Sequence, residues 1–158
     1  PSKIAFSDES TVSYLYGADG TKLRTVHKIG GVTTTTDYCG NVIYENNIAK
    51  LLLTEEGYVS LNDSKYHYYL KDHQRNNRVV INQTGAVEEQ AIIILGGVFA
   101  SMGNVQPYKY NGKKLDTKKG LNLYGYGARQ YDAVLGRWHA IDPSSEKYYG
   151  TGPYILHK

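Results

Sequence analysis

The sequence predicts an all-β protein: an antiparallel meander of hairpins forming a curled sheet. Three observations predict it. Period-two segments separated by turn residues recur along the 158-residue chain. Tyrosine outnumbers phenylalanine 16 to 2, and tyrosine suits half-buried sheet faces, where the ring packs and the hydroxyl reaches water or a carbonyl. No stretch carries a convincing amphipathic helical pattern; "KLLLTEE" is flanked by β-type sequence and by Gly57.

The elements follow in order. "VSYLY" (12–16) runs into the turn "GADG" (17–20), and "TKLRTVHKI" (21–29) follows. Gly30-Gly31 leads to "VTTTTDY" (32–38), and "CGN" (39–41) turns the chain into "VIYEN" (42–46). "KLLLTEEGYVSL" (50–61) reads as one extended segment, then "NDS" (62–64) turns into "KYHYYL" (65–70). "KDHQRN" (71–76) precedes "NRVVINQ" (77–83), and "TGA" (84–86) precedes "VEEQAIIIL" (87–95). Asp-Gly, Gly-Gly, Gly-Asn and Thr-Gly are hairpin chemistry, because Gly and Asn accept the positive φ of tight turns. "YGYGARQYDAVLGRWHAIDP" (124–143) reads as strand, turn and strand ending in Asp-Pro. Roughly ten strands exceed what a flat open sheet tolerates, so the sheet curls or the chain is one piece of a larger wall.

Bulk composition narrows the function classes. The net charge of +3 is mild and the charges are interspersed, which argues against a nucleic-acid surface. The lysine-rich stretch 109–120 reads as a solvated loop. Cys39 is the only cysteine, so no internal disulfide framework exists. The longest apolar run, "AIIILGGVFA" (91–100), reads as extended and is too short to span a bilayer. His27, His67, His73, His139 and His157 lack metal-ligand spacing, and no phosphate loop or nucleophile elbow occurs, so neither a metal nor a cofactor is expected. Two glycosylation-type acceptor patterns, Asn62-Asp63-Ser64 and Asn82-Gln83-Thr84, are given no functional weight.

Tyr16, Tyr38 and Tyr58 lie 22 and 20 residues apart. Such a period suggests a hairpin added per unit, each stacking its aromatic face on the next. "YLYGADGTKLR" (14–24) resembles the YD repeat, and residues 66–90 and 108–143 resemble the Rhs repeat-associated core domain, especially versions from Bacteroides-type bacteria. The run from Tyr110-Asn111-Gly112-Lys113 through Tyr124, Gly127, Arg129, Tyr131, Asp132, Gly136, Arg137 and Trp138 to Asp142-Pro143 carries that resemblance in order and spacing. The chain departs from the pattern at Tyr16-Gly17, at Gln74-Arg75 and at Ile92–Gly96, where a Pro bend is replaced by apolar residues.

The resemblance implies a segment of an Rhs-type β-shell that encloses or presents a C-terminal toxin or other variable cargo in bacterial competition. It implies partners: that cargo and the rest of the shell. An unpaired sheet edge, which pairs opportunistically, adds an expectation of self-association. The resemblance also implies a place in a larger protein, secreted or at the cell surface. Residues 1–11 are expected to be an N-terminal extension, 12–90 YD-repeat-like hairpins, 91–149 the closing core segment and 150–158 a tail.

The resemblance further implies a cleavage aspartate at Asp142 that works with a second Asp-Pro motif not found in this chain. A strand end with Pro143 setting the exit direction is the simpler reading of the same residues. Arg129 and Arg137 flank the "QYDAVLG" hairpin, and pairing one of them with Asp132 or Asp142 would lock it. Trp138 beside Tyr131 reads as a core plug. A second functional reading is a surface module that binds carbohydrate or protein, with Tyr126, Tyr131 and Trp138 as a stacking platform. A third is an aspartate-dependent autoprotease.

Overall fold

The computed structural model describes residues 2–94, 96–127, 129–142 and 146. Its described residues form strands, turns and two short 3-10 turns, with no α-helix among them. Eleven strands follow chain order in one antiparallel sheet: β1 (Lys3–Ala5), β2 (Thr11–Tyr16), β3 (Lys22–Ile29), β4 (Val32–Cys39), β5 (Val42–Glu45), β6 (Ile48–Leu53), β7 (Gly57–Ser60), β8 (Lys65–Lys71), β9 (Asn77–Asn82), β10 (Val87–Ile94) and β11 (Gly97–Met102). A second, four-stranded sheet runs in order β12 (Leu115–Asp116), β13 (Leu123–Tyr126), β14 (Arg129–Asp132) and β15 (Arg137–Trp138). The all-β meander read from the sequence is therefore the observed architecture.

The structure differs from the sequence reading in four places. The segment 50–61 is not one strand. It breaks between β6 and β7, where the Thr54 N–H donates to the Gly57 carbonyl at 2.9 Å. Gly57 then passes so close to β8 that a Cβ would sit 1.9 Å from the His67 carbonyl oxygen. The apolar run 91–100 is likewise a hairpin, bent at Gly96 with φ +89°. A β-rich apolar run and a two-stranded apolar hairpin share one composition, so only the Gly pair marks the bend. The N-terminal extension contributes β1, which pairs with β2 through Ile4 and Val12. Lys109, placed in a solvated loop by the sequence, is buried.

Contacts divide the chain into two compact units. The first comprises residues 1–68 with 82–85, and the second 69–81 with 86–158. In the first unit alternation does the expected work. Val12 and Tyr14 of β2 are buried and sit opposite His27 and Thr25 of β3. Thr25 sits opposite Thr36 of β4, giving a buried row whose members are mostly polar. Further along, Tyr38 pairs with the buried Ile43, and the Tyr58 ring stacks on His67 with centroids 4.4 Å apart. This core is thin, as expected from tyrosine and threonine in place of leucine and phenylalanine. Register shifts within the β2–β3 and β5–β6 pairs supply local bends.

In the second unit the apolar centre is Ala91, Ile93, Tyr110, Tyr124, Tyr131 and Trp138, with Leu115, Tyr126 and Ala133 packed against it. Pro143, the tail 150–158 and His157 lie outside the described residues.

Candidate functional site

The second unit brings together the stretch from residue 108 onward and the parts 69–81 and 86–90 of the earlier motif-bearing stretch. Its aromatic part is built by register. Leu115 sits opposite Tyr124, Tyr124 opposite Tyr131, and Tyr131 opposite Trp138, so one residue per strand forms a row across the sheet. Cross-strand aromatic pairs are the stabilising unit of a sheet. Tyr110 joins the row from a 3-10 turn (Tyr110–Gly112), with its ring 5.8 Å from Tyr124 and 6.1 Å from Tyr131. Tyr126 meets Trp138 edge-on at 5.1 Å. These are the separations at which aromatic rings attract beyond simple burial.

Arg129 closes the row. Its guanidinium carbon lies 4.1 Å above the Trp138 ring, and its Nη1 lies 2.9 Å from Oδ2 of Asp142. The planar guanidinium can stack and pair at once, which an ammonium cannot. Asp132 has a different task. Its Oδ1 accepts the N–H groups of Val134 and Leu135 at 2.9 and 3.0 Å, building the β14–β15 turn, and its Oδ2 lies 3.3 Å from Nε2 of His139. Arg137 stands exposed opposite Asp132, and Gly127 and Gly136 hold positive φ in the two hairpin turns. Asp142 is thus pinned by Arg129.

The three rings read as a stacking platform do converge, but inward. Tyr131 and Trp138 are each 3 % exposed and Tyr126 is half-buried. A sugar ring has no face of Trp138 to stack on in this arrangement.

A polar clamp holds the aromatic part to residues 72–77, and sequence reasoning missed it. Asp72 accepts N–H bonds from Gln74 at 2.9 Å and Asn76 at 3.0 Å, and the Asn76 side-chain amide donates to its other oxygen at 2.8 Å. Asn76 in turn accepts the Asn111 N–H at 2.9 Å, and Asn111 donates to the Tyr126 hydroxyl at 3.0 Å. The neighbouring Asn77 donates from its backbone to the Lys109 carbonyl and from its side chain to the Tyr108 carbonyl, at 3.0 and 2.8 Å. Both asparagines are buried, so these bonds satisfy groups that would otherwise be desolvated without a partner. Burial works upward on the Asp72 carboxyl, but donors from Asn76 and Gln74, with Arg78 at 3.6 Å, outweigh it and hold it below the usual range. Burial pushes the Tyr126 phenol up to about 12 and the Tyr124 phenol higher still.

A buried ion pair completes the unit. Glu89 of β10 pairs with Lys109, and its other oxygen accepts the Val105 N–H at 3.0 Å. Gln106 also leans on Glu89 at 3.5 Å. The sequence did hold a signal here. Glu89 is in phase with Ala91 and Ile93, the buried face of β10, and a charge in an apolar phase demands a buried partner.

No family model matches the chain. It is 31 % identical over 100 residues to salivary gland surface protein 1 of Aedes aegypti, a match that spans 58 % of this chain and 3 % of that protein. Among solved structures it is similar to the crystal structure of TcdB2-TccC3-TEV, with a TM-score of 0.80, 15 % identity, and coverage of 98 % of this chain and 9 % of that one. The crystal structure of TcdB2-TccC3-Cdc42 superposes with a TM-score of 0.78 at 16 % identity, again over 98 % and 9 % of the two chains. The Photorhabdus luminescens Tc holotoxin pore gives 0.77 at 17 % identity, over 94 % and 8 %. The chain spans less than a tenth of the length of each of these relatives. At these identities the likeness concerns backbone architecture, and by that measure the fold is Rhs-like, similar to the TccC3 neighbours.

Proposed function

We propose that this chain is a wall segment of an Rhs-type shell, one that encloses or presents a C-terminal toxin or other variable cargo. It would act as part of a larger protein, secreted or at the cell surface, in bacterial competition. The observation that carries the reading is the second unit. Its chemistry-bearing residues are spent on one another, in an aromatic row, a polar clamp and a buried ion pair, on an Rhs-like backbone. Residues used this way hold a wall in shape; they do not meet a substrate.

Asp142 fits the same reading. Its carboxylate is held by Arg129, so it fixes the end of the second sheet beside Trp138. In a shell protein that cuts itself at Asp-Pro, this residue would be the one to act, with Pro143 as its neighbour. The autoprotease reading is tested by chain length: mass spectrometry of the full-length protein and of Asp142→Asn should differ if Asp142 cuts.

The shell reading is tested on the full-length protein with its C-terminal segment attached. Under limited proteolysis the C-terminal segment should survive while the wall is intact, and should be digested once Trp138→Ala opens the wall. A C-terminal segment degraded equally fast in both proteins overturns the reading.

A further inference from the structure

Sheet edges are usually guarded, by shortness, by charge or by a covering segment, because unpaired N–H and C=O groups invite another strand. Two of the sheet ends here follow that rule. β1 has three residues and carries Lys3. On the outer side of β12, the Leu115 N–H donates to the Pro107 carbonyl at 2.8 Å, and an isolated bridge joins Tyr108 to Lys114.

β11 does not follow it. It is the last strand of its sheet, six residues long, with the sequence Gly-Val-Phe-Ala-Ser-Met: no charge and no proline. Among the described residues no strand pairs with its outer side. Ala100, Ser101 and Met102 are exposed. Beside the edge opens a cleft of about 410 Å³, lined by Val98 and Ser101 of β11, by Val105, Gln106 and Pro107, and by Leu115.

The register explains why the cleft lies there. Ile93 pairs with Val98 but Ile92 pairs with Ala100, so β11 holds one extra residue. That bulge rephases the strand. Val98 and Ser101 fall opposite Ile93 and Ala91, the two aliphatic members of the buried core. The cleft therefore continues the core face past the last strand of the sheet. Beyond β11, Gly103 turns the chain away with φ +75°, so close to β10 that a Cβ would meet the Glu88 carbonyl at 2.1 Å. The chain crosses to Val105 and Gln106, which Glu89 fastens, and among the described residues no strand covers the edge.

We propose that the edge of β11 and this cleft form a strand-acceptor site for an extended, uncharged polypeptide segment with small apolar side chains at alternate positions. The guest's backbone pairs with β11, and its inward side chains fill the cleft against Val105, Pro107 and Leu115, as strand addition does elsewhere. The guest is uncharged because the one charged side chain lining the cleft, that of Lys109, is already paired with Glu89. A charge entering there would be desolvated without a partner. The inference does not rest on the shell reading, since any extended segment of this chemistry would serve.

The test uses an acetylated, amidated peptide alternating valine and threonine, added to the intact protein and followed by amide hydrogen exchange. The expected result is slowing of the 97–102 amides by about tenfold or more, with no slowing from the same peptide carrying a central proline. Ser101→Asp, at an exposed position on the cleft wall, should abolish the effect while exchange at Tyr124 and Trp138 stays at the wild-type rate. Unchanged exchange with the valine–threonine peptide overturns the proposal. So does slowing at residues 3–5 in place of 97–102, or slowing of 97–102 that depends on protein concentration alone, which would make a second copy the occupant.

Discussion

The two units solve the same problem with different means. The first buries tyrosine, threonine and histidine in rows between neighbouring hairpins, and its side-chain contacts join strands adjacent in sequence. The second ties residues far apart in the chain: Asn76 to Asn111, Asn77 to Tyr108, Glu89 to Lys109. A ladder of local pairs tolerates the loss of any one member, because each hairpin keeps its backbone bonds. A network of distant pairs does not, since every member closes a loop whose ordering entropy the others must offset. The second unit should therefore be brittle and the first forgiving.

The comparison can be broken most forcefully at Trp138. Trp138→Ala removes the last ring of the buried row and leaves a cavity, and large-to-small changes of this kind cost about 3–5 kcal/mol. Denaturant unfolding followed by residue-resolved exchange should show residues 69–81 and 86–142 losing protection well before residues 11–60. Simultaneous loss in both would refute the contrast.

Lys109→Ala comes next. It leaves Glu89 buried without its cation, and breaking a buried pair from one side costs about 3–5 kcal/mol. Replacing both, with Glu89→Leu and Lys109→Met, should recover most of that loss in the same unfolding assay. A double variant as weak as the single one would show that Glu89 matters for more than its partner.

Asn76→Ala sharpens the comparison at the clamp. It strips a bond from the Asn111 N–H and one from Asp72, and unsatisfied buried groups cost about 1–3 kcal/mol each. Circular dichroism melts should shift by several degrees, and more than for Thr36→Val in the first unit.

Acidity probes the same clamp. The Asp72 carboxyl has its folded pKa lowered, so its contribution to stability is present above the unfolded value near 4 and is lost as pH falls through the folded value. Asp72→Asn should flatten that part of the stability–pH curve. Tyr126 works in the opposite sense. Its folded pKa is raised to about 12, so stability is unaffected below the ordinary tyrosine value near 10 and declines as pH climbs towards 12. Tyr126→Phe should remove that decline. The smallest effect is expected in the first unit at Arg24→Gln. It breaks an exposed pair with Asp37, which water and salt already screen, so the unfolding midpoint should not move measurably.

Much of this protein was written plainly in its residues. Alternation and turn chemistry placed most of the strands, because period-two patterning and positive-φ residues act over a few neighbours and need no knowledge of the fold. The spacing of Tyr124, Tyr131 and Trp138 in a motif pointed to a packed hairpin for the same reason. Three things were decided only by the tertiary structure. The hairpin hidden in residues 91–100 depends on which partner each apolar side chain faces. How the aromatic row is completed depends on Tyr110 arriving from another segment to pack on Tyr124 and Tyr131. The burial of Lys109 depends on Glu89, twenty residues earlier, waiting in a core position. Local periodicity sets which residues become strands; pairing between distant segments sets what those strands enclose, because burial belongs to the whole packed unit and no short stretch of chain can fix it alone.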